Sequence, residues 1–317
     1  MAENNKRPIA LPPDLMVSLH QVEYWRHLLR LIGFVAIYGV SATMAVVLAQ
    51  RMEWRFWFLL IPFYLLAAAS LHGISLFTHE AVHGTLCRNS VLNDVCGALC
   101  AFPVLQTCRA YRVLHLKHHT HLGDNGDPDH YQNYTRWTWM VFIMNWLRLL
   151  IGYPVYISAI PILGWRQGTS QDRVWIFAEI CAMFSLVAVI LSTGVSFVWV
   201  IHGWLIPMLL INTMVNIRGM SQHTLLENAS DAVQGTRTIL TRPIVRFFMC
   251  NENYHLEHHL YPGIPWYGLP EAHQSLQESL KTAGAPYIRS YAAFVWEFLI
   301  HSLRRSPLGR HSPQEIK

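Results

Sequence analysis

His255-Leu256-Glu257-His258-His259 is the stretch on which the organisation of the whole chain depends. In a helix, residues at positions i, i+3 and i+4 lie on one face, so the three imidazoles of this stretch point the same way. Neutral imidazole is the commonest protein ligand for a metal ion. The stretch therefore predicts a short helix that presents three metal ligands.

Two related groups of histidines occur earlier in the chain. His115-Leu116-Lys117-His118-His119 has the same spacing, and His79-Glu80-Ala81-Val82-His83 places two histidines at i and i+4. Eight of the 18 histidines lie in these three groups. One such pair is more often structural, but three groups together predict a shared metal site. His223 is a ninth candidate that follows an apolar segment closely, and its surroundings suit a structural role as well as a ligand.

The composition is that of a membrane protein. Hydrophobic residues make up 52% of the chain and charged residues 14%, whereas about 25% charged is usual in soluble domains. The 12 Trp, 13 Tyr and 14 Phe fit a membrane–water interface. The net charge of +5 fits an anionic membrane surface better than nucleic acid, because the chain has no arginine-rich tract. The six cysteines form no CxxC pair and are expected to be small buried residues.

Four apolar segments are long enough to cross a bilayer core of about 30 Å. They cover about residues 28–50, 56–77, 174–194 and 197–215. The segment 137–164 is also apolar, but Arg148 lies near its middle, where a charge at mid-bilayer depth is costly. Because Pro154 and Pro161 also interrupt it, we expect interfacial helices there. The predicted fold class is an all-α integral membrane protein, with four transmembrane helices, interfacial helices and a cytosolic helical cap that carries the histidine groups.

The order of these segments brings the histidines to one side of the membrane. Two spans precede the first two groups and two more precede the third, so all three groups emerge on the same face. An excess of Lys and Arg over residues 217–317 marks that face as cytoplasmic. We expect a cytoplasmic tail and interfacial anchor over residues 1–27, flexible over 1–19, then a membrane domain over 28–275 and a cytoplasmic segment over 276–317.

The residues alone allow three functions. His79-Glu80-Ala81-Val82-His83 matches the HExxH pattern of zinc proteases, in which the glutamate activates water. A catalytic zinc ion needs only three protein ligands, which would leave the other two groups without a role. Two metal ions with four or five ligands each would instead use eight or nine imidazoles. Nitrogen ligands suit iron, which can reduce O₂ and remove hydrogen from an unactivated C–H bond. The third possibility is a membrane metal carrier or sensor.

The three groups resemble the histidine boxes of the membrane fatty acid desaturase superfamily, which are non-haem di-iron enzymes. The resemblance covers roughly residues 50–275 and is closest to bacterial members. It also includes several shorter matches outside the boxes: Gly84-Thr85, Leu92-Asn93-Asp94, Asp127-Pro128-Asp129, Thr236-Arg237-Thr238, Tyr261-Pro262-Gly263-Ile264-Pro265, Leu269-Pro270 and His273.

The resemblance implies an O₂-dependent oxidoreductase that desaturates a lipid acyl chain at a di-iron centre. A lipid or carotenoid hydroxylase or ketolase of the same superfamily is the alternative. By the same resemblance nine histidines bind the metal: His79, His83, His115, His118, His119, His223, His255, His258 and His259. In the acyl-CoA enzymes of the superfamily an asparagine four residues before the histidine at position 223 assists the metal. Here that residue is Gly219, so no ligand is expected from it.

The resemblance also predicts the partners and the location. Two iron ions are the expected cofactors, and O₂ is the expected co-substrate. No cytochrome domain is visible in the 317 residues, so we expect a separate electron donor, either a ferredoxin or a small cytochrome, with its reductase. The Lys- and Arg-rich surface would suit an acidic donor. The expected location is a bacterial inner membrane, with the histidine boxes and both termini in the cytoplasm and no nucleic-acid partner.

Overall fold

A computed structural model of the chain describes residues 9–129, 137–226 and 229–304. Within these ranges the chain is helical almost throughout, which confirms the predicted all-α class. The α-helices are α1 (Pro13–Leu19), α2 (Tyr24–Arg51), α3 (Ile61–Val82), α4 (Ser90–Ala101), α5 (Cys108–Thr120), α6 (Thr138–Gln167), α7 (Ser170–Ser192), α8 (Ile206–His223), α9 (Pro243–Phe248), α10 (His255–Leu260), α11 (Leu269–Thr282) and α12 (Tyr291–Arg304). Two-residue strands, β1 (Thr238–Ile239) and β2 (Tyr287–Ile288), pair in parallel.

Among the described residues, four helical segments are long and apolar enough to cross a membrane, as predicted. They are Tyr24–Arg51, Trp54–Val82, Ser170–Ser192 and Trp199–His223. The second begins with a 3₁₀ turn at Trp54–Leu60, and the fourth begins with a π-helical turn at Trp199–Leu205. On α7 most apolar side chains are exposed, as expected for a helix that faces lipid. The chain is therefore an integral membrane protein.

The segment between the second and third spans enters the apolar layer and returns. The helix pair Ser90–Val104 and Cys108–Thr120 is bent by 102°. The start of α4 lies against the end of α3, where Asn93 Nδ2 donates a hydrogen bond to the carbonyl of Ala81. Near the end of α5, His115 Nε2 lies 3.0 Å from His83 Nε2, which follows α3 directly. Because both ends meet α3 at the same place, we interpret the pair as a re-entrant loop and not as a broken span.

Glycines let α3 pack closely against two neighbouring helices. A Cβ atom on Gly73 would lie 2.5 Å from the ring of Phe34 on α2, and one on Gly97 of α4 would lie 2.4 Å from Ala81 Cβ. Thr78 Oγ1 also donates a hydrogen bond to the carbonyl of Gly97. Small residues allow this backbone approach between helices in lipid. The packing fixes the end of α3, where the first histidine group lies.

A network of charged side chains fixes the start of α5. The carboxylate of Glu179 on α7 accepts the backbone N–H of Arg109 at 3.1 Å, which satisfies a donor that a helix N-terminus leaves without an intrahelical partner. Arg109 Nε lies 2.6 Å from Asp172, and Arg112 lies 2.7 Å from Asp94 on α4. These bonds hold the helix that carries the second histidine group against α4 and α7.

The segment 137–164 differs from its prediction in one respect. Prolines were expected to divide it into separate helices, but α6 runs without interruption from Thr138 to Gln167, through Pro154 and Pro161. Each proline removes one backbone donor, and a helix in apolar surroundings tolerates that loss when its freed carbonyls are satisfied locally. The interfacial position of α6 stays a prediction.

The chain forms two compact units. The membrane unit comprises Glu23–Leu116 and Arg148–Asn216. The other, which we call the histidine-rich unit, comprises Met1–Val22, Lys117–Leu147 and Ile217–Lys317. It is built from three separate segments of the chain.

The prediction of a flexible N-terminal tail is wrong for residues 9–19. In the histidine-rich unit, Leu11 and Leu19 are buried in a core that includes Leu256 of α10. The backbone N–H of Leu11 also donates a hydrogen bond to the hydroxyl of Tyr261. The polar residues of the N-terminus lie mainly before residue 9, whereas residues 9–19 are mostly apolar, and Ile9 and Leu15 also pack against this core. The N-terminal segment therefore supports the helix of the third histidine group.

This packing predicts a stability loss when Leu19 is shortened. Leu19 is 5% exposed and Val17, on the same helix, is 65% exposed. Leu19→Ala should cost about 2–5 kcal/mol, as for other buried leucines, and lower the melting temperature of the detergent-solubilised protein by at least about 5 °C. Val17→Ala is the matched control and should leave the melting temperature nearly unchanged. Equal effects of the two substitutions would contradict the packing of α1.

Candidate metal centre

Three histidines converge at the end of α3. His79 lies in the last turn of that helix, His83 follows it as the C-cap, and His115 comes from α5. Their ring centroids are 4.6–5.0 Å apart, and the Nε2 atoms of His83 and His115 are 3.0 Å apart. We call this set the three-histidine group. All of it lies in the membrane unit, and the i, i+4 spacing of the first histidine pair predicted its shared face.

The end of α3 is fixed by the residues that follow the first group. Gly84 has φ +72°, the left-handed conformation that ends helices and favours glycine. The chain then turns back, and Thr85 donates from its backbone N–H to the carbonyl of Glu80 and from its hydroxyl to the Glu80 carboxylate at 2.8 Å. Glu80 thus helps to close the helix that presents His79 and His83.

Four further histidines converge in the histidine-rich unit. We call them the four-histidine group: His118, His223, His255 and His259. One ring nitrogen of each lies within 4.8 Å of those of the other three. His255 occupies the centre, because its Nε2 is 3.0 Å from His223 Nε2 and 3.1 Å from His259 Nε2. These residues come from α5, α8 and α10, so the group joins three helices that are distant in sequence.

The rings of His118 and His223 are oriented by acceptors at Nδ1. His118 Nδ1 lies 2.9 Å from a carboxylate oxygen of Asp127. His223 Nδ1 lies 3.1 Å from the carbonyl oxygen of Gly235. Because a carbonyl or carboxylate oxygen only accepts, each Nδ1 carries the proton and each Nε2 has a free lone pair directed to the centre of the group.

Asp127 is held in place independently of His118. Its carboxylate also accepts the backbone N–H groups of Gly123 and Asp129, each at 2.9 Å. Burial raises the pKa of Asp127, but the hydrogen bonds from His118 and these two amides outweigh burial and keep the pKa below its usual value. The Asp127-Pro128-Asp129 turn noted in the sequence therefore supports a histidine of the second box.

His255 has a buried carboxylate beside its Nδ1. A carboxylate oxygen of Glu252 lies 3.4 Å from that nitrogen and 3.8 Å from Arg218 of α8. Burial raises the pKa of Glu252 to about 7, and Arg218 acts in the opposite direction. The spacing of the histidines did not point to Glu252, Arg218 or Gly235. Only the folded chain brings them to the boxes.

The donor geometry fits a transition-metal ion. Two imidazole nitrogens in neighbouring positions of an octahedral ion, each bonded at about 2.1 Å, lie about 3 Å apart. The nitrogen separations of 3.0 and 3.1 Å around His255 match that spacing. Without a metal ion, two rings at this distance share a proton in an N–H···N hydrogen bond, and a bound cation would take the place of that proton. Imidazole ligands suit iron as well as zinc, copper and nickel.

The remaining two box histidines, His119 and His258, lie at the edge of the four-histidine group. Their Nε2 atoms are 3.2 Å apart, and His119 stacks on His259 with ring centroids at 4.1 Å. The nine predicted histidines thus fall into a group of three in the membrane unit and a cluster of six in the histidine-rich unit.

Burial keeps box histidines in the neutral form that binds metals. Burial, with a smaller contribution from Arg112, lowers the pKa of His83 to about 3. Burial also lowers the pKa of His259 well below its usual value, and the neighbouring His255 adds to the effect. A metal ion therefore meets little competition from protons at neutral pH.

The third box carries a carboxylate that serves the fold. Glu257 is fully buried, and its two oxygens accept hydrogen bonds from Thr238 Oγ1 at 2.6 Å and from His273 Nδ1. These bonds attach α10 to β1 and α11. They give a structural role to Thr238 and His273, two residues outside the boxes that belong to the resemblance noted in the sequence, and they fix the orientation of the third box.

Gly235 is required by close contact. A Cβ atom at this position would lie 2.2 Å from the carbonyl oxygen of Ala229 and 2.7 Å from that of Asp231. Any side chain would displace the Gly235 carbonyl that orients His223.

We therefore expect Gly235→Ala to weaken metal binding in the four-histidine group. Loss of a hydrogen bond that orients a ligand typically costs about 10- to 100-fold in metal affinity. Bound metal is measured by elemental analysis, and affinity by competition with a chelator. Gly39→Ala is the control, since a Cβ there meets nothing within 4 Å. Unchanged affinity in Gly235→Ala would contradict the orientation of His223 by this carbonyl.

Comparison with known proteins identifies the family of the chain. The family model for fatty acid desaturase matches residues 55–291. A relative from Picosynechococcus sp., named sn-1 oleoyl-lipid 12-desaturase, is 21% identical over 302 residues, covering 84% of this chain and 80% of the relative. Dihydrorhizobitoxine desaturase of Bradyrhizobium elkanii is 29% identical over 242 residues (68% and 67%), and beta-carotene 4-ketolase of Protosiphon botryoides is 30% identical over 224 residues (66% and 51%).

The family model covers about three quarters of the chain, and within that span lie all three boxes and His223. The protein is an oxidoreductase that belongs to the fatty acid desaturase family.

Proposed function

We propose that this protein introduces a double bond into the acyl chain of a membrane lipid, using O₂ and two iron ions bound by histidine. The observation that carries the proposal is the four-histidine group, whose ring nitrogens lie at metal-ligand spacing in a chain that also has apolar helices long enough to cross a membrane. The cyanobacterial relatives named sn-1 oleoyl-lipid 12-desaturase support a lipid-bound acyl chain as the substrate class.

Nine histidines are the proposed iron ligands. The four-histidine group supplies the ligands of one ion. The three histidines of the three-histidine group, together with His119 and His258, are the remaining proposed ligands.

The reaction consumes one O₂, two electrons and two protons, and converts a –CH₂–CH₂– unit into –CH=CH– with two molecules of water. Iron, when bound, supplies the capacity to activate O₂ and to remove hydrogen atoms from an unactivated methylene. The chain's own residues fix the imidazoles through Asp127, Gly235 and Glu252, and their burial limits the access of water. An apolar acyl chain can enter from lipid between the spans.

A lipid or carotenoid hydroxylase or ketolase is the second candidate. The relative named beta-carotene 4-ketolase favours it. Both reactions begin with the removal of one hydrogen from the substrate, and the outcome depends on whether a second, neighbouring hydrogen leaves or oxygen is inserted. The match of residues 79–83 to zinc proteases has no such support, since family membership accounts for the same two histidines.

We place the protein in a bacterial inner membrane, with the histidine boxes and both termini on the cytoplasmic side. The excess of Lys and Arg after residue 217 supports this orientation. The proposed division of the chain stays a tail and anchor over 1–27, a desaturase domain over 28–275 and a cytoplasmic segment over 276–317.

A separate ferredoxin or small cytochrome, with its reductase, is the proposed source of electrons. If the donor is acidic and docks on Lys and Arg side chains, turnover at limiting donor should fall as salt rises from about 10 to 150 mM, because added ions screen the attraction. The rate is measured with a purified donor over this range. A rate independent of ionic strength would exclude electrostatic docking.

Expression in a bacterial host with a compatible donor tests the reaction itself. Mass spectrometry of total lipids should show products lighter by two hydrogens, whereas products heavier by oxygen would favour the hydroxylase or ketolase. His258→Ala should abolish product and lower bound iron. His121→Ala is the matched control, because His121 is exposed and lies outside the boxes. Full activity of His258→Ala would refute the assignment of the site.

A further inference from the structure

Two buried carboxylates beside the four-histidine group have no part in the ligand set. Asp127 is 4% exposed and Glu252 is 1% exposed. A buried carboxylate is costly unless it is hydrogen-bonded or paired with charge. Each of these two faces the Nδ1 atom of one histidine, at 2.9 Å for His118 and 3.4 Å for His255. They approach the four-histidine group from two different segments of the chain.

The position of Asp127 is set by the loop that follows α5. Two backbone amides, from Gly123 and Asp129, donate to its carboxylate. The carboxylate is therefore already in place for His118 to donate to it. Hydrogen bonds from backbone amides hold a carboxylate in its charged form. His118 thus meets a fixed negative charge behind its ring.

The position of Glu252 is set by an unusual turn and by α8. The preceding residues, Cys250 and Asn251, have φ of +43° and +56°, values that non-glycine residues rarely adopt. The amide of Gln222 donates to the backbone carbonyl of Glu252, and Arg218 lies beside its carboxylate. Because Arg218 and Gln222 are on the helix that ends at His223, Glu252 links two of the helices that supply the group.

We propose that Asp127 and Glu252 are positioning residues that raise the metal affinity of the four-histidine group and favour the higher oxidation state of an ion held there. They act through His118 and His255 and are not ligands themselves. Asp127 accepts the Nδ1 proton of His118, which fixes that ring and increases the basicity of its Nε2. Glu252 acts through the carboxylate that it places 3.4 Å from His255 Nδ1. A bound cation favours the charged form of this carboxylate, which in turn offsets the charge of the cation. The identity of the ion as iron rests on the proposed function, but the effect on affinity does not.

Metal titration of the purified full-length protein tests the proposal. The protein is stripped with a chelator and titrated without O₂ with Fe²⁺, or with Co²⁺ as an absorbing probe. Asp127→Asn and Glu252→Gln remove charge at nearly constant shape. Each substitution should weaken metal binding at the four-histidine group by about 10- to 100-fold and leave the affinity for the second ion unchanged. Mössbauer spectra of the ⁵⁷Fe-loaded variants should show a change in the signal of only one iron.

Matched controls separate this effect from a general loss of charge. Asp129→Asn is the control for Asp127→Asn, because it makes the same substitution in the same loop at an exposed residue 4.0 Å from His118. Glu271→Gln is the control for Glu252→Gln, because it makes the same substitution at an exposed residue of α11. Both should bind metal like the unaltered protein. Asp127→Ala, which also removes the acceptor, should weaken binding more than Asp127→Asn. If one variant has a lower melting temperature than the unaltered protein in the absence of metal, the affinities of the other variants test the proposal.

Two results would overturn the inference: unchanged affinity in both amide variants, or equal weakening of the affinity for both ions. Failure of the proposed function looks different. In that case the unaltered protein would bind fewer than two ions or form no lipid product. A protein that binds two ions and forms product while Asp127→Asn and Glu252→Gln retain full affinity contradicts only the role of these carboxylates.

Discussion

The structure depends on one electrostatic requirement, that imidazole lone pairs from distant segments be brought together around a cation. Around His255 the nitrogens approach to 3.0 and 3.1 Å, a spacing that is favourable for ligands of one ion. The surroundings hold this arrangement through Asp127, Glu252 and the carbonyl of Gly235, each at the opposite nitrogen of a ring. Much of the polar structure of the histidine-rich unit can be understood as support for these rings.

The membrane unit meets a related requirement by different means. In lipid, helices gain little from burying apolar surface against one another, so close packing and hydrogen bonds must position them. Gly73 and Gly97 provide the close packing around α3, and Glu179 and Asp172 provide the hydrogen bonds that anchor α5. The first set fixes the end of α3 that carries His79, and the second fixes the start of α5, whose last turns carry His115, His118 and His119. The same helices thus cross or enter the membrane and place the ligands at its edge.

Features with a regular period were predictable from the sequence, and features that depend on tertiary contact were not. The i, i+3, i+4 spacing of His255, His258 and His259 predicted a helical ligand face, and apolar runs predicted four spans. Arg218 and Glu252 are far apart in sequence, and no local pattern marks them as neighbours. The N-terminal segment was misjudged because the polar residues and prolines at its start hid the apolar residues 9–19 that pack on the core. The helix α6 was misjudged because its prolines are tolerated within a continuous helix.

The composition of the histidine-rich unit from three separate chain segments has a consequence for biosynthesis. The segment around Leu11 and Leu19 leaves the ribosome first, but its packing partners on α10 and α11 are made only after all four spans. The four-histidine group likewise lacks three of its members until the last span has been inserted. A partly synthesised chain therefore cannot complete this group, so the binding of any metal ion by all four histidines is a late step that follows synthesis of the last span.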